Sequence, residues 1–181
     1  MPYIQPLSRE AVDATTGATL DSLKAKLGVL PNMFRTMAHA PAALDAYVKL
    51  AGAAAGGRLD AQQRERIALA VGETNGCTYC VAAHGAIGRM VGLDASAIDA
   101  ARDARATAPR DAALLRLARA IVEHRGHVPV AELDAFKAAG FGDADILEVL
   151  VNVVLNIYTN YTNHIAGTEI DFPVPGARRA A

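Results

Sequence analysis

DAQQRERIALAVGETNGCTYCVAAHGAIGRMVGL, residues 60–93, decides the fold. Asp60 is a good N-cap, and Ile67, Leu69, Ala70 and Val71 give the following segment core-facing bulk at helical spacing. Asn75–Gly76 interrupts that pattern, so a second helix is expected from around Cys77 to near Gly92. The two helices and the short Asn-Gly connection carry both cysteines of the chain and one of its five histidines.

Outward from this pair, the punctuation is helical throughout. Toward the N-terminus, SREAVDATTGATLDSLKAKLG reads as one or two short helices closing at Gly28. Pro31 and Pro41 bracket a short segment, NMFRTMAHA. PAALDAYVKLAGAAAGG then reads as a helix with Pro41 near its start and Gly56–Gly57 as its stop. Toward the C-terminus, Asp94 caps a helix, DAALLRLARAIVEH gives another, and VAELDAFKAAG a third. Asp143 is expected to cap a long final helix running to about His164. Residues 172–181, rich in proline and glycine at their start, are expected to form an extended arm. Alanine is abundant, β-branched and aromatic residues are sparse, and no sustained period-two run is present, so the fold class is all-α. No linker is long enough to split the 181 residues, and a single domain over 1–181 is expected.

Composition excludes several function classes. Apolar residues make up 52% and charged residues 20%, which is a globular composition. The formal net charge of −1 gives no electrostatic reason to expect nucleic acid or an anionic membrane as partner. MPYIQPLSRE lacks the basic and apolar regions of a secretory signal. The most apolar run, ILEVLVNVVLNIY, is too short to span a bilayer and is cut by Glu148, Asn152 and Asn156. A cytoplasmic location is expected, where two cysteines are a catalytic pair, a metal site or inert thiols rather than a structural staple.

At ~100° per residue, Cys77, Cys80 and His84 share an arc of roughly 60° on one helix face, and Tyr79 points nearly the opposite way. Both sulfurs lie at the helix start, where the macrodipole and free N–H groups favour thiolate, and a nearby histidine can exchange the proton. On this ground alone Cys77 is the lower-pKa thiol. Zinc would need a fourth ligand beside Cys77, Cys80 and His84; a second CxxC or an HxxxH pair is missing, and His39, His124, His127 and His164 are scattered singles. Two packed, inert cysteines are the remaining alternative. Glu65, in QQRERIAL between Arg64 and Arg66, reads on its own as part of a solvated face. Asn152, Asn156, Asn160 and Asn163 share an arc of roughly 80° on the last helix. They suit a subunit interface, a polar pocket wall, or a face toward solvent and loops. An offset of 83 residues sets Asp60 on Asp143, Glu65 on Glu148, Cys77 on Asn160 and Cys80 on Asn163, a weak echo that either marks a duplicated helical hairpin or is chance.

Glu65, eleven residues, Cys77-Thr-Tyr-Cys80, three residues and His84 together resemble the AhpD-like superfamily, which includes alkylhydroperoxidase AhpD and the carboxymuconolactone decarboxylase domain proteins. LGVLPNMFRTMAHAPAALDAYVKL, GRLDAQQRERIALAV and NYTNHIAGTEIDFP extend the resemblance, to its peroxidase-related branch, over about residues 20–175. The resemblance implies an all-α AhpD-like fold, a homo-oligomer (trimer or hexamer), and a peroxidase reducing hydrogen peroxide or organic hydroperoxides with no cofactor or metal. It implies Cys80 as the attacking thiol, Cys77 as the resolving one, and Glu65 and His84 as a proton relay. The electron donor would be a dithiol, for which AhpD uses a lipoyl-bearing protein. Tyr79 stands where AhpD itself has a histidine, which removes one proton carrier. A lactone decarboxylase and a redox-responsive oligomer without turnover are the rival functions.

Overall fold

Helix α4 (Ala61–Thr74) is the axis of the molecule, and the rest of the fold follows from what packs on it. In the computed structural model, which describes residues 1–173, the elements before it are a 3-10 turn at Arg9–Ala11, α1 (Ala14–Leu27), α2 (Asn32–Met37) and α3 (Pro41–Ala55). After it come α5 (Thr78–Met90), α6 (Ala95–Arg102), α7 (Pro109–Glu123), α8 (Val130–Ala138) and α9 (Asp143–Ala166), with no strand among the described residues. Helix α4 touches α5, α6, α7 and α9, and α9 in turn reaches α2, α3, α5 and α7. None of the described helices is long and apolar enough to cross a membrane.

The local chemistry explains the boundaries. Asp60 accepts from Gln63 N at 2.8 Å while the Gln63 side chain accepts from Asp60 N, a reciprocal cap that starts α4 where expected. Ile67, Leu69, Ala70 and Val71 are all fully buried. Each large apolar side chain removed from water there contributes about 1.5–3 kcal/mol. Gly28 closes α1 in the left-handed region, at φ 78°, with its N–H on the Lys24 carbonyl.

The start of α9 differs from expectation. Its cap residue is Gly142, in an extended conformation, and the carboxylate that accepts the Gly142 N–H at 2.7 Å belongs to Asp145. Asp143 is already helical and its side chain turns outward to Lys137 Nζ, 2.7 Å away. An aspartate inside the first turn still suits the helix dipole, which is why the sequence pattern placed the start correctly but the cap one residue late. The far end runs past His164 to Ala166. Because α9 is one uninterrupted helix, the 83-residue echo of the α4–α5 hairpin is not a second hairpin. Of the C-terminal arm, Phe172 and Pro173 are described and the remainder, 174–181, lies outside the described residues.

Two apolar clusters divide the interior. One joins α4, α6, α7, α8 and α9 around Ile67, Leu69, Leu114, Leu117, Phe136 and Val149. The other holds Leu20, Met33, Phe34, Met37 and Leu44 from α1–α3 together with Cys77, Tyr79, Cys80 and Ala83. The cysteine pair thus belongs to the cluster that the N-terminal helices complete. On the outside, Leu147, Leu150, Val154, Tyr161 and Ile165 leave an exposed apolar stripe along α9.

Candidate active site

The turn between α4 and α5 aims the cysteines. Gly76 takes φ +67°, a conformation that favours glycine, and Cys77 N–H reaches back to the Gly72 carbonyl at 2.8 Å. Cys77 becomes the N-cap of α5, and its Sγ accepts from Cys80 N–H at 3.3 Å. The two cysteines are joined as a disulfide, with Cα atoms 5.3 Å apart. Both are buried, Cys77 at 1% and Cys80 at 2% exposure. Only Cys80 of the two lines the cavity that opens beside them, so the sulfurs are unequal in what they can meet.

That cavity, about 230 Å³, is walled by Leu27, Phe34, Ala51, Ala68, Ile87 and Leu155 on its apolar side. Its polar side brings together Cys80, His84, Glu65, Arg64 and Tyr47 with three asparagines of α9, Asn152, Asn156 and Asn163. Glu65 Oε2 lies 2.7 Å from His84 Nδ1, joining α4 to α5. Both side chains are mostly buried, at 16% and 21% exposure, so this is not a solvated surface pair. Nδ1 is thus the ring nitrogen engaged by Glu65, and Nε2 is the one turned away from that contact. The neighbouring arginines diverge from Glu65: Arg64 donates to the Leu59 carbonyl, and Arg66 lies 3.9 Å from Asp111 of α7. Three of the expected site residues, Glu65, Cys80 and His84, thus line one cavity, with Cys77 bonded to Cys80 beside it, and Glu65 leaves the solvated face that its sequence context suggested.

Tyr79 does not point away from the site. It is buried at the same wall, donating from its hydroxyl to Asp171 Oδ1 at 2.8 Å and accepting from Met33 N–H at 3.3 Å. Asp171 also accepts from Asn32 N–H at 2.6 Å, and Phe172 packs edge-on against the Tyr79 ring with centroids 5.7 Å apart. Phe172 forms part of the cavity wall. Burial above all, with the Asp171 carboxylate adding to it, raises the Tyr79 phenol well above its ordinary range, against the Met33 N–H that lowers it. Tyr47, also at the cavity, is pushed up to about 12 by burial first and the Glu65 charge second. Both phenols are neutral at physiological pH.

All four α9 asparagines are buried rather than turned to solvent, and Asn152, Asn156 and Asn163 form part of the cavity wall. Asn152 and Asn156 each donate to a backbone carbonyl one turn earlier, those of Glu148 and Asn152, at 2.8 Å. Asn160 accepts from Asn75 Nδ2 at 2.8 Å, tying α9 to the α4–α5 turn. Asn163 Nδ2 donates to Cys80 Sγ and to Met33 Sδ, both at 3.3 Å. No group of three or more His, Cys, Asp and Glu side chains is placed to hold a metal ion among the described residues. Met33, Tyr47, Asp171 and Phe172 lie in stretches that carried the resemblance but were not singled out within them, because single residues far apart in sequence carry no periodicity.

Residues 41–124, which include the whole Glu65-to-His84 constellation, match the model of the carboxymuconolactone decarboxylase family. That match and the AhpD-like fold together support placing the chain in the AhpD/carboxymuconolactone decarboxylase superfamily. Its fold is that of an uncharacterized peroxidase-related protein with an AhpD core from Ralstonia eutropha JMP134. The two are 25% identical over 94% of this chain and 92% of that one, with a TM-score of 0.85. A cysteine-to-alanine variant of the debrominase Bmp8, solved in complex with 2,3,4-tribromopyrrole, is 19% identical over 93% and 91%, with a TM-score of 0.81. A peroxidase-related protein from Silicibacter sp. TM1040 is 22% identical over 93% and 91%, also at 0.81. No curated protein matches the sequence. The AhpD-like fold shared with these structures extends well past the matched segment, to α9 and the residues that follow it.

Proposed function

We propose that the protein is a thiol-dependent peroxidase working through a Cys77–Cys80 disulfide cycle. The observation that carries this reading is that Cys80 alone of the pair lines the cavity, on a wall shared with a histidine whose Nδ1 is held by a glutamate. In the reduced protein, His84 Nε2 takes the Cys80 proton, and the thiolate attacks the terminal oxygen of the hydroperoxide. The O–O bond breaks, Cys80 becomes the sulfenic acid, and the leaving alkoxide or hydroxide takes the proton back from the imidazolium. Cys77 sulfur then attacks Cys80 sulfur, the S–S bond forms, and the hydroxyl departs as water. Two thiols and one hydroperoxide thus give one disulfide, one alcohol (or water) and one water. A dithiol of dihydrolipoyl type reduces the pair again.

The lactone decarboxylation in the family's name does not require a dithiol, and the disulfide-linked pair at the cavity favours the redox reading. The exposed stripe of α9 supports a homo-oligomer in which Leu147, Val154 and Ile165 are covered; light scattering on the purified protein tests it. A reducing, cytoplasmic compartment suits the cycle.

The test of the chemistry is capture of the intermediate. A Cys77→Ser protein treated with one equivalent of hydroperoxide and dimedone gains one adduct, on Cys80. An unmodified Cys80 under these conditions overturns the assignment.

A further inference from the structure

The helix start favours the wrong sulfur for this chemistry. Cys77 holds the N-cap position and accepts the Cys80 N–H, while Cys80, the sulfur at the cavity, lies within the first turn. What Cys80 has instead is Asn163. The amide Nδ2 sits 3.3 Å from Cys80 Sγ, is buried, and arrives from α9, 83 residues away in sequence. Its second contact, to Met33 Sδ at 3.3 Å, uses the other N–H and fixes the direction of the first. Asn163 Oδ1 is buried with no hydrogen-bond partner among the described residues. An amide that leaves its own oxygen unsatisfied, with both N–H groups on sulfur, is placed for what it donates to.

We propose that Asn163 is a further catalytic residue, whose side-chain amide stabilises the Cys80 thiolate as a hydrogen-bond donor. A donor to the charged form favours that form, and burial makes the effect larger than in water. The amide does for Cys80 what the helix N-terminus does for Cys77, and it lets the sulfur at the cavity be the one that ionises. The step it assists is a proton transfer, from the Cys80 thiol to the His84 imidazole, with no other bond made or broken. The remaining groups around the cavity are Arg64 and Glu65 from α4, Tyr47 from α3, and Tyr79 and His84 from α5, with Asp171 behind Tyr79. From α2 come the neutral Met33 and Phe34, and from α9 the neutral Asn152, Leu155, Asn156, Thr159 and Asn163. Asn163 is therefore the one α9 residue that acts on the sulfur, and it does so without charge.

The inference deepens the dithiol reading and is tested without peroxide. In a Cys77→Ala protein, Cys80 is the sole thiol, and its rate of alkylation by iodoacetamide is measured against pH. Asn163→Leu should move the midpoint upward by about one unit, a fall of about tenfold in rate on the acid side, or about 1.4 kcal/mol. Asn163→Asp, which removes the donor and adds a negative charge, should move it further. An unchanged midpoint in either folded variant overturns the inference. Should neither variant fold, the side-chain amide resonances of Asn163 in the Cys77→Ala protein decide: they follow the alkylation midpoint if the amide donates to the sulfur, and stay flat if it does not. A protein without peroxide turnover whose midpoint still depends on Asn163 leaves this inference standing and removes the peroxidase. Normal turnover with an insensitive midpoint does the reverse.

Discussion

Glu65 Oε2 and His84 Nδ1 are 2.7 Å apart, nineteen residues distant in sequence, and the contact joins α4 to α5 at the cavity that Cys80 faces. It holds one nitrogen of the imidazole, and in the proposed cycle the other exchanges the proton with Cys80. His84→Ala and Glu65→Ala are each expected to lower kcat/KM for peroxide by about 10² or more, the usual worth of a positioned acid–base group. Glu65→Gln keeps a hydrogen-bonding oxygen without the charge, and its loss should be smaller than that of Glu65→Ala. Steady-state kinetics on the three variants checks the order.

Tyr79, which lies between the cysteines in sequence, ties α5 to the segment after α9 through Asp171 and Phe172. Tyr79→Phe removes the hydrogen bond to Asp171 and leaves the ring in place against Phe172. The expected cost is about 1–2 kcal/mol in urea unfolding. The residues after α9 should also become more open to limited proteolysis near Glu169–Phe172, because among the described residues the Asn32 N–H is the hydrogen bond Asp171 would keep.

Burial of two phenols gives the fold an alkaline limit. The Tyr47 phenol is raised from about 10 to about 12, and that of Tyr79 is raised as well. The neutral form is favoured in the folded state, so the stabilisation is fully present below about pH 10 and is lost as pH rises through the folded value. Stability measured by urea unfolding should therefore fall between about pH 10 and 12. Tyr47→Phe should flatten that fall while leaving the profile near neutral pH unchanged in shape.

The second glutamate of the 83-residue echo has a structural task. Glu148 Oε2 accepts from Arg58 N–H at 2.5 Å and Leu59 N–H at 3.3 Å, so α9 holds the turn that leads into α4. Glu148→Ala is expected to cost about 1–3 kcal/mol of stability through the two backbone groups it leaves unpaired. Turnover per folded molecule should be unchanged, in contrast to Glu65→Ala.

The helices were legible because their signals are local. Caps such as Asp60, stops such as Gly28, and the Asn75–Gly76 break each act within a few residues, and the α4 and α5 boundaries fall where those residues place them. The cysteine face was legible for the same reason, since three residues one turn apart must share a side. Asn163 was marked only as one of four asparagines on a helix face, and Met33 and Asp171 not individually, because what matters about them is a contact across 83, 130 or 92 residues, and no pattern within one helix encodes it. Tyr79 shows the limit within a helix. A wheel angle set it opposite the sulfurs, but the N-terminal helices and the segment after α9 wrap that side too, so it is buried at the same cavity. The α9 cap at Gly142 instead of Asp143 is a smaller case, in which it is Asp145, the second of two acids in the first turn, that takes the Gly142 N–H.

Peroxide consumption with dihydrolipoamide as donor, wild type against Cys80→Ser, addresses the central claim most directly. The expected result is steady turnover by the wild type and none above the donor blank for Cys80→Ser. Full turnover by Cys80→Ser would contradict it.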